Sequence, residues 1–175
     1  METAIDWITP GTPTIDSSRP GHHAPDEGTT DVPAVDIRRL LLATDLSPAS
    51  ERAADEAIRL AVESGAQLVV LSVIDPGRLR LPGGLFLRRV DQERSHIDTG
   101  VQKLVNRARQ AGARATFLVW EGDPAEAILA ASESERVDAI VLGSHGRGLV
   151  GRLVLGSVST RVTEQARCQV VVVAG

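Results

Sequence analysis

The sequence predicts an α/β protein in which a doubly wound, five-stranded parallel sheet carries helices on both faces. Short apolar runs of strand length, such as Leu68 to Val73, alternate with longer segments whose apolar residues recur at helical spacing. These runs are nearly continuous rather than alternating with polar residues, which favours strands covered on both faces. Regular alternation of strands and helices predicts a parallel sheet joined by right-handed crossovers.

Residues that typically begin or end helices define the bounds of the individual elements. Ser47 and Pro48 are an N-cap and a first-turn proline, and Gly65 ends the helix that they begin. Asp123, followed by proline and by an acidic residue three positions on, has the spacing of a capping box. The predicted strands are Ile37–Ala43, Gln67–Ile74, Ala115–Trp120, Asp138–Leu142 and Gln169–Val173, and the predicted helices are Ser47–Gly65, Arg89–Gln110, Asp123–Glu135 and Ser157–Ala166.

The first 35 residues differ in composition from the rest of the chain. They contain five of the nine prolines and many Ser, Thr, Gly and Asp residues. Their apolar side chains are too few to offset backbone ordering at about 1–2 kcal/mol per residue. We therefore predict a flexible tail over residues 1–35, with a short contact through Trp7 as the alternative, and one folded domain over residues 36–175.

Composition and charge exclude several classes of protein. A net charge of −4 and 2% aromatic residues, with no Tyr, argue against nucleic-acid binding. A single cysteine forms no internal disulfide or multi-cysteine zinc site. No apolar run approaches the roughly 18 residues of a membrane span, and the acidic N-terminus does not resemble a signal peptide. We expect no membrane partner and a cytoplasmic protein.

The strongest functional signal is a glycine-rich loop after the fourth predicted strand. It reads Gly143-Ser-His-Gly146, then nine residues, then Gly156-Ser157. Glycines permit a positive φ and a close ligand approach, and the helix that begins at Ser157 offers unpaired N–H groups to an anion. The pattern predicts a phosphate cradle, and it is neither a Walker A loop nor a dinucleotide fingerprint. The alternative is that the glycines only permit turns and Ser157 only caps a helix.

An acidic residue after the first predicted strand, and basic residues within the loop, are further candidates for nucleotide contacts. Asp45 follows the first predicted strand, where a carboxylate would meet the ribose hydroxyls or the adenine amino group of a nucleotide rather than its phosphates. The alternative, which can coexist, is that Asp45 accepts hydrogen bonds from its own turn. Arg147 or Arg152 could pair with phosphate oxygens or face water, and His145 could contact the γ-phosphate or a metal, or face water.

These residues together resemble the universal stress protein family. The marker of its ATP-binding branch, G-x2-G-x9-G-S, is complete here, and Asp45 and the final run of valines match as well. The resemblance covers residues 36 to 175 and implies a Rossmann-like domain that binds ATP and forms homodimers. Two departures, Ala43 and Gln169 at positions where many members have proline, lie outside the phosphate loop. The resemblance implies nucleotide contacts from Asp45, Val73, Leu142, Gly143, Gly146, Gly156, Ser157 and Val158, to which Arg147 is added as a phosphate partner.

The expected function is regulatory binding of ATP in a stress response, with Mg²⁺ held through the phosphates rather than by a carboxylate cage. No positioned general base is recognisable, so we expect at most slow ATP hydrolysis. We also expect Val170–Val173 to lie at a sheet edge and to pair with a second copy in a twofold homodimer. One alternative is a dimeric interaction protein without nucleotide. Another is an α/β-phosphate-cleaving hydrolase, for which Ala43 to Ser47 is a poor match.

Overall fold

The computed structural model describes residues 6–8, 36–78, 85–144 and 155–174. Within these ranges strands and helices alternate as the sequence predicts, and most predicted boundaries agree to within two residues. The second long helix begins four residues earlier than predicted. The elements are β1 (Asp6–Ile8), β2 (Arg39–Ala43), α1 (Glu51–Ser64), β3 (Gln67–Ile74), α2 (Leu85–Gln110), β4 (Arg114–Glu121), α3 (Pro124–Ser134), β5 (Ala139–Gly143), α4 (Ser157–Gln165) and β6 (Gln169–Val173).

The sheet has the order β1-β6-β5-β2-β3-β4. Strands β2 to β6 are mutually parallel, and β1 joins the end of the sheet antiparallel to β6. The predicted α/β class with five parallel strands is confirmed. Chain order reverses at β2, because β3 lies on one side of it and β5 on the other, so the switch point of the sheet lies between β2 and β5.

Alternate residues of β2 to β6 enter two separate cores. Leu40 and Leu42 of β2 face α1 and α2, whereas Leu41 faces α3 and α4, and all three side chains are fully buried. Helices α1 and α2 thus cover one face of the sheet and α3 and α4 the other. Each buried leucine contributes on the order of 1.5–3 kcal/mol through the apolar surface that it removes from water.

Two of the three predicted helix signals are confirmed in full. Gly65 ends α1 with a left-handed backbone (φ 69°), and the Asp123 carboxylate caps α3 by accepting a hydrogen bond from the Glu126 N–H at 3.0 Å. The prediction for Ser47 is confirmed in position, since Ser47 is the N-cap residue before Pro48, but it is wrong for the side chain, which makes no capping hydrogen bond. Its hydroxyl donates to Asp45 instead, and a 3-10 turn over Pro48–Ser50 precedes α1.

The prediction that the last strand lies at a sheet edge is also wrong. Strand β1 pairs with β6 over three residues, with Asp6 opposite Val172, Trp7 opposite Val171 and Ile8 opposite Val170. The backbone groups of an exposed edge strand are a ready site for another strand, and here a segment of the same chain takes it. Of the tail predicted over residues 1–35, these three residues are described.

The described helices include none that combines the length and the apolar character needed to cross a bilayer.

Candidate functional site

The carboxyl ends of β2 and β5 form the centre of the candidate site. Ala43, the last residue of β2, is in register with Leu142 of β5, and Gly143 ends β5 opposite Val173 of β6. The side chain of Leu142 is buried in the core on the α3 and α4 side of the sheet. Leu142 can therefore line the crevice only through its backbone. An open α/β sheet binds ligands at such a switch point.

The loop after β5 closes on itself through the Ser144 backbone. The Ser144 N–H donates to the Val173 carbonyl at 2.8 Å, and the Ser144 carbonyl accepts from the Gly156 N–H at 2.8 Å and from the Ser159 hydroxyl at 3.1 Å. The two ends of the glycine-rich segment are therefore held together beside the sheet. Gly146 and Arg147, and with them His145 and Arg152, lie outside the described residues.

Helix α4 begins at this closure without a side-chain cap. Gly156 occupies the N-cap position, and the first helical hydrogen bond runs from the Thr160 N–H to the Gly156 carbonyl at 2.9 Å. The N–H groups of Ser157, Val158 and Ser159 precede that bond and are the helix donors that an anion can accept from. Ser157 is exposed at the first helical position.

The two described glycines of the loop do not use the positive φ that glycine permits. Gly156 has φ −64° and ψ 159°, the extended backbone usual for an N-cap, and Gly143 is the last residue of a strand. The described glycines with positive φ are Gly65, Gly112 and Gly122. What glycine supplies at 143 and 156 is the absence of a Cβ, which allows close approach to the backbone.

Asp45 is tied into the turn that follows β2. Its Oδ1 accepts hydrogen bonds from the Ser47 N–H at 3.1 Å and from the Ser47 hydroxyl at 2.6 Å. Thr44 holds the same turn, because its N–H donates to the Leu71 carbonyl at 3.0 Å and its Oγ1 accepts from the Leu46 N–H at 3.0 Å. The side chain of Asp45 remains partly exposed at the carboxyl edge. Asp45 thus accepts hydrogen bonds from its own turn, which was the alternative expected from the sequence. In this position its carboxylate still lies beside the crevice.

An unusual contact fixes the residue after Asp45. Leu46 has a left-handed backbone with φ 58°, which costs a non-glycine residue on the order of 1 kcal/mol. Its side chain packs over Gly100 of α2 so closely that a Cβ at Gly100 would lie 2.5 Å from Leu46 Cδ1. Helix α2 therefore helps to fix the backbone conformation of the turn that contains Asp45. Neither residue was predicted to support the site, since a lone glycine inside an amphipathic helix gives only a weak signal.

A partly exposed apolar surface lies on the α3 and α4 side of the sheet and includes residues at the carboxyl ends of β3 and β4. Val73 of β3 and Val158 of α4, both candidate site residues, pack against the core on that face and remain partly exposed. Trp120 of β4 does the same and is in register with Val73. Trp120 was not predicted as a site residue, because the predictions rested on the loops after the first and fourth predicted strands and on the family resemblance.

An ion-pair cluster joins the two helices beside this surface. Arg161 of α4 donates to the Asp123 carboxylate at 3.0 Å and to the Glu126 carboxylate at 2.8 Å. The hydrogen bond to Glu126 raises the pKa of the Arg161 guanidinium above its ordinary value. Because Asp123 also caps α3, Arg161 connects the start of α3 to the first turns of α4.

The remaining candidates for chemistry are few. Cys168 packs against the α3 and α4 core, and burial raises the pKa of its thiol, which disfavours the nucleophilic thiolate. Among the described residues, no three His, Cys, Asp or Glu side chains are grouped so that they could hold a metal ion. The described residues at the carboxyl edge thus provide the N–H groups at the start of α4, the Asp45 carboxylate as an acceptor, and a partly exposed apolar surface.

Comparison with known proteins decides the family. The sequence model described as "Universal stress protein family" matches residues 36–174. The chain belongs to the universal stress protein family. Among curated relatives, "Universal stress protein in QAH/OAS sulfhydrylase 3'region" of Thermus aquaticus is 35% identical over 140 residues, which are 78% of this chain and 98% of the relative.

Solved structures agree with this assignment. The universal stress protein UspA from Lactobacillus plantarum superposes with a TM-score of 0.73 at 25% identity and covers 78% of this chain and 97% of its own. A universal stress protein crystallised in complex with cAMP has a TM-score of 0.60 at 26% identity, with coverages of 79% and 97%. The chain therefore shares the fold of these two proteins over more than three quarters of its length.

Proposed function

We propose that this universal stress protein binds ATP in the crevice between the carboxyl ends of β2 and β5 and acts as a regulatory protein in a stress response. The observation that carries the proposal is the start of α4, where three helix N–H groups follow Gly156, which has no side chain to cap them, next to the hydrogen bonds that the Ser144 backbone makes. These donors and the positive end of the helix dipole suit phosphate oxygens. That a relative was crystallised with cAMP supports an adenine nucleotide as the ligand class.

The other residues take complementary roles in this proposal. Asp45 accepts hydrogen bonds from ribose hydroxyls or from the adenine amino group, and the backbone of Val73 lies beside the base. Leu142, Gly143, Ser157 and Val158 surround the ribose and phosphates, and the proposal extends to Gly146 and Arg147 as phosphate contacts. Mg²⁺ would be held by phosphate oxygens, since such ions keep several waters and few protein ligands.

Calorimetric titration with ATP and Mg²⁺ tests the proposal, with cAMP titrated in parallel. We expect saturable binding by the wild type and its loss in Gly156→Val, whose added side chain would project where phosphates approach, and in Gly143→Ala. Val62→Ala, at an exposed position near the end of α1 and hence at the amino edge of the sheet, is the control and should bind normally. Circular dichroism checks that each variant is folded. A wild type that binds neither ligand at millimolar concentration would instead favour the dimeric interaction protein without nucleotide.

We also propose that the protein forms a twofold homodimer through β6. Strand β6 has five residues, and β1 pairs with its central three, so a second copy must displace β1 to reach the same edge. We expect deletion of residues 1–10 to raise the dimer fraction in light scattering coupled to size exclusion. If the full-length and shortened chains are both strict monomers at tens of micromolar, the proposed dimer is wrong.

A further inference from the structure

Trp120 is a large aromatic side chain at the carboxyl end of β4. It is in register with Val73 and packs against the same core cluster as Val73 and Val158, yet all three remain partly exposed. A tryptophan is the bulkiest apolar side chain available, and burying it fully would remove on the order of 150–250 Å² from water. Here the fold leaves part of the indole uncovered at the edge of the sheet where the candidate ligand residues lie.

The position is distinctive within this chain. Aromatic residues make up 2% of the sequence, and the described part of the chain places Trp120 beside a candidate site residue. Phe117, three residues earlier on the same strand, points to the opposite face and is 38% exposed. The same strand therefore supplies an aromatic residue in register with Val73, on the face that carries the candidate site residues Val73 and Val158, and a matched aromatic residue on the opposite face.

We propose that the indole of Trp120 stacks on the purine base of the bound nucleotide and sets the preference of the site for purines. The inference rests on the nucleotide binding proposed above and adds a base-stacking residue to it. Aromatic rings stack on bases through their faces, and a two-ring purine offers more stacking area than a pyrimidine. Trp120 acts by positioning and desolvating the base, while the uncapped N–H groups at the start of α4 hold the phosphates.

Intrinsic fluorescence gives a direct test, because the chain has two tryptophans. In the full-length Trp7→Phe protein the emission comes from Trp120 alone. We expect ATP to change its intensity or wavelength along a saturation curve whose midpoint matches the calorimetric dissociation constant. If ATP binds calorimetrically and the emission stays constant, the stacking role is refuted while nucleotide binding stands.

Substitutions then separate base contacts from phosphate contacts. Trp120→Ala should weaken ATP binding about five- to 150-fold, the range found when an aromatic side chain is removed from a stacked base. Trp120→Phe, which keeps a ring, should recover most of that loss, and the preference for ATP over CTP should shrink in the alanine variant. Phe117→Ala should leave the affinity unchanged.

Inorganic triphosphate, which has no base, completes the cycle. Its affinity should be equal in the wild type and in Trp120→Ala, because the phosphate contacts remain. An equal loss for ATP and triphosphate would mean that the substitution disturbs the fold near α4, and the inference would be wrong. Unchanged or tighter ATP binding by Trp120→Ala would also overturn it, since the indole would then be irrelevant to the base or would compete with it. A wild type without nucleotide affinity overturns this inference and the proposed function together.

Discussion

The contact between Leu46 and Gly100 can be tested by replacing Gly100 with alanine. The effect of this substitution on the free energy of unfolding should change sign when Leu46 is also replaced. Replacing Gly100 by alanine in the interior of α2 has two opposing effects. It removes the helix penalty of glycine, a gain of about 1 kcal/mol. It also places a Cβ 2.5 Å from Leu46 Cδ1, where carbon atoms prefer about 3.5–4.0 Å, so the leucine tip must move by about 1 Å.

The size of the clash decides the outcome. Overpacking of this kind costs about 1–3 kcal/mol, so Gly100→Ala should lower the free energy of unfolding by about 0–2 kcal/mol in the wild type. In a Leu46→Ala background the crowding atom is absent, and the same change should stabilise the protein by about 1 kcal/mol. The difference, an interaction energy of about 1–3 kcal/mol, identifies direct contact between the two positions.

Urea unfolding at 25 °C, followed by circular dichroism, measures all four proteins of this cycle. The slope with urea should stay constant, so that shifts in the midpoint report stability alone. Gly100→Ala that stabilises both backgrounds equally would refute the packing of Leu46 over α2. It would also remove the argument that α2 supports the turn on which Asp45 stands.

Three further outcomes follow from the geometry. Asp138→Ala should lower the free energy of unfolding by about 2 kcal/mol in urea titrations, because the carboxylate accepts the Arg38 and Arg39 N–H groups at 2.8 and 2.9 Å, and Asp138→Asn should lose less. Gly65→Ala should cost about 1–2 kcal/mol by the same assay, although a Cβ there meets nothing within 4 Å, because the left-handed backbone alone is strained. Alkylation of Cys168 should be slow at neutral pH and accelerate only above the pH at which a free cysteine reacts, because burial raises the pKa of its thiol; a rate at pH 7 equal to that of free cysteine would contradict this.

The sequence was sufficient for the parallel core because local and global signals agree there. Gln169–Val173 is predicted and observed with the same bounds, since a run of valines between turn residues has one reasonable structure. The end of α1 at Gly65 and the carboxylate cap of α3 by Asp123 were equally predictable, because each depends on the chemistry of one residue at a helix end.

The features that escaped prediction depend on partners distant in sequence. Strand β1 has three residues in a proline-rich segment, and only its pairing with β6, more than 160 residues away, makes it a strand. The Ser47 hydroxyl could hydrogen-bond either to a helix N–H or to the nearby Asp45 carboxylate, and it donates to the carboxylate. Leu46 adopts a backbone that its residue type disfavours, and the packing site over Gly100 compensates for that cost.

Partly exposed apolar side chains at the carboxyl edge of the sheet relate the fold to the proposed ligand site. On the face of α1 and α2, the buried set extends from Leu40 of β2 to Val173 of β6 and includes residues of both helices, although Leu46 and Phe117 on that side remain partly exposed. On the face of α3 and α4, Val73, Trp120 and Val158 stay partly exposed. Exposed apolar surface of this kind is costly in water unless something covers it, and a base lying there would remove it from solvent. A ligand that binds only the native state stabilises that state. The exposed surface that lowers the stability of the free protein would therefore make its stability depend on nucleotide concentration, as a regulatory role requires.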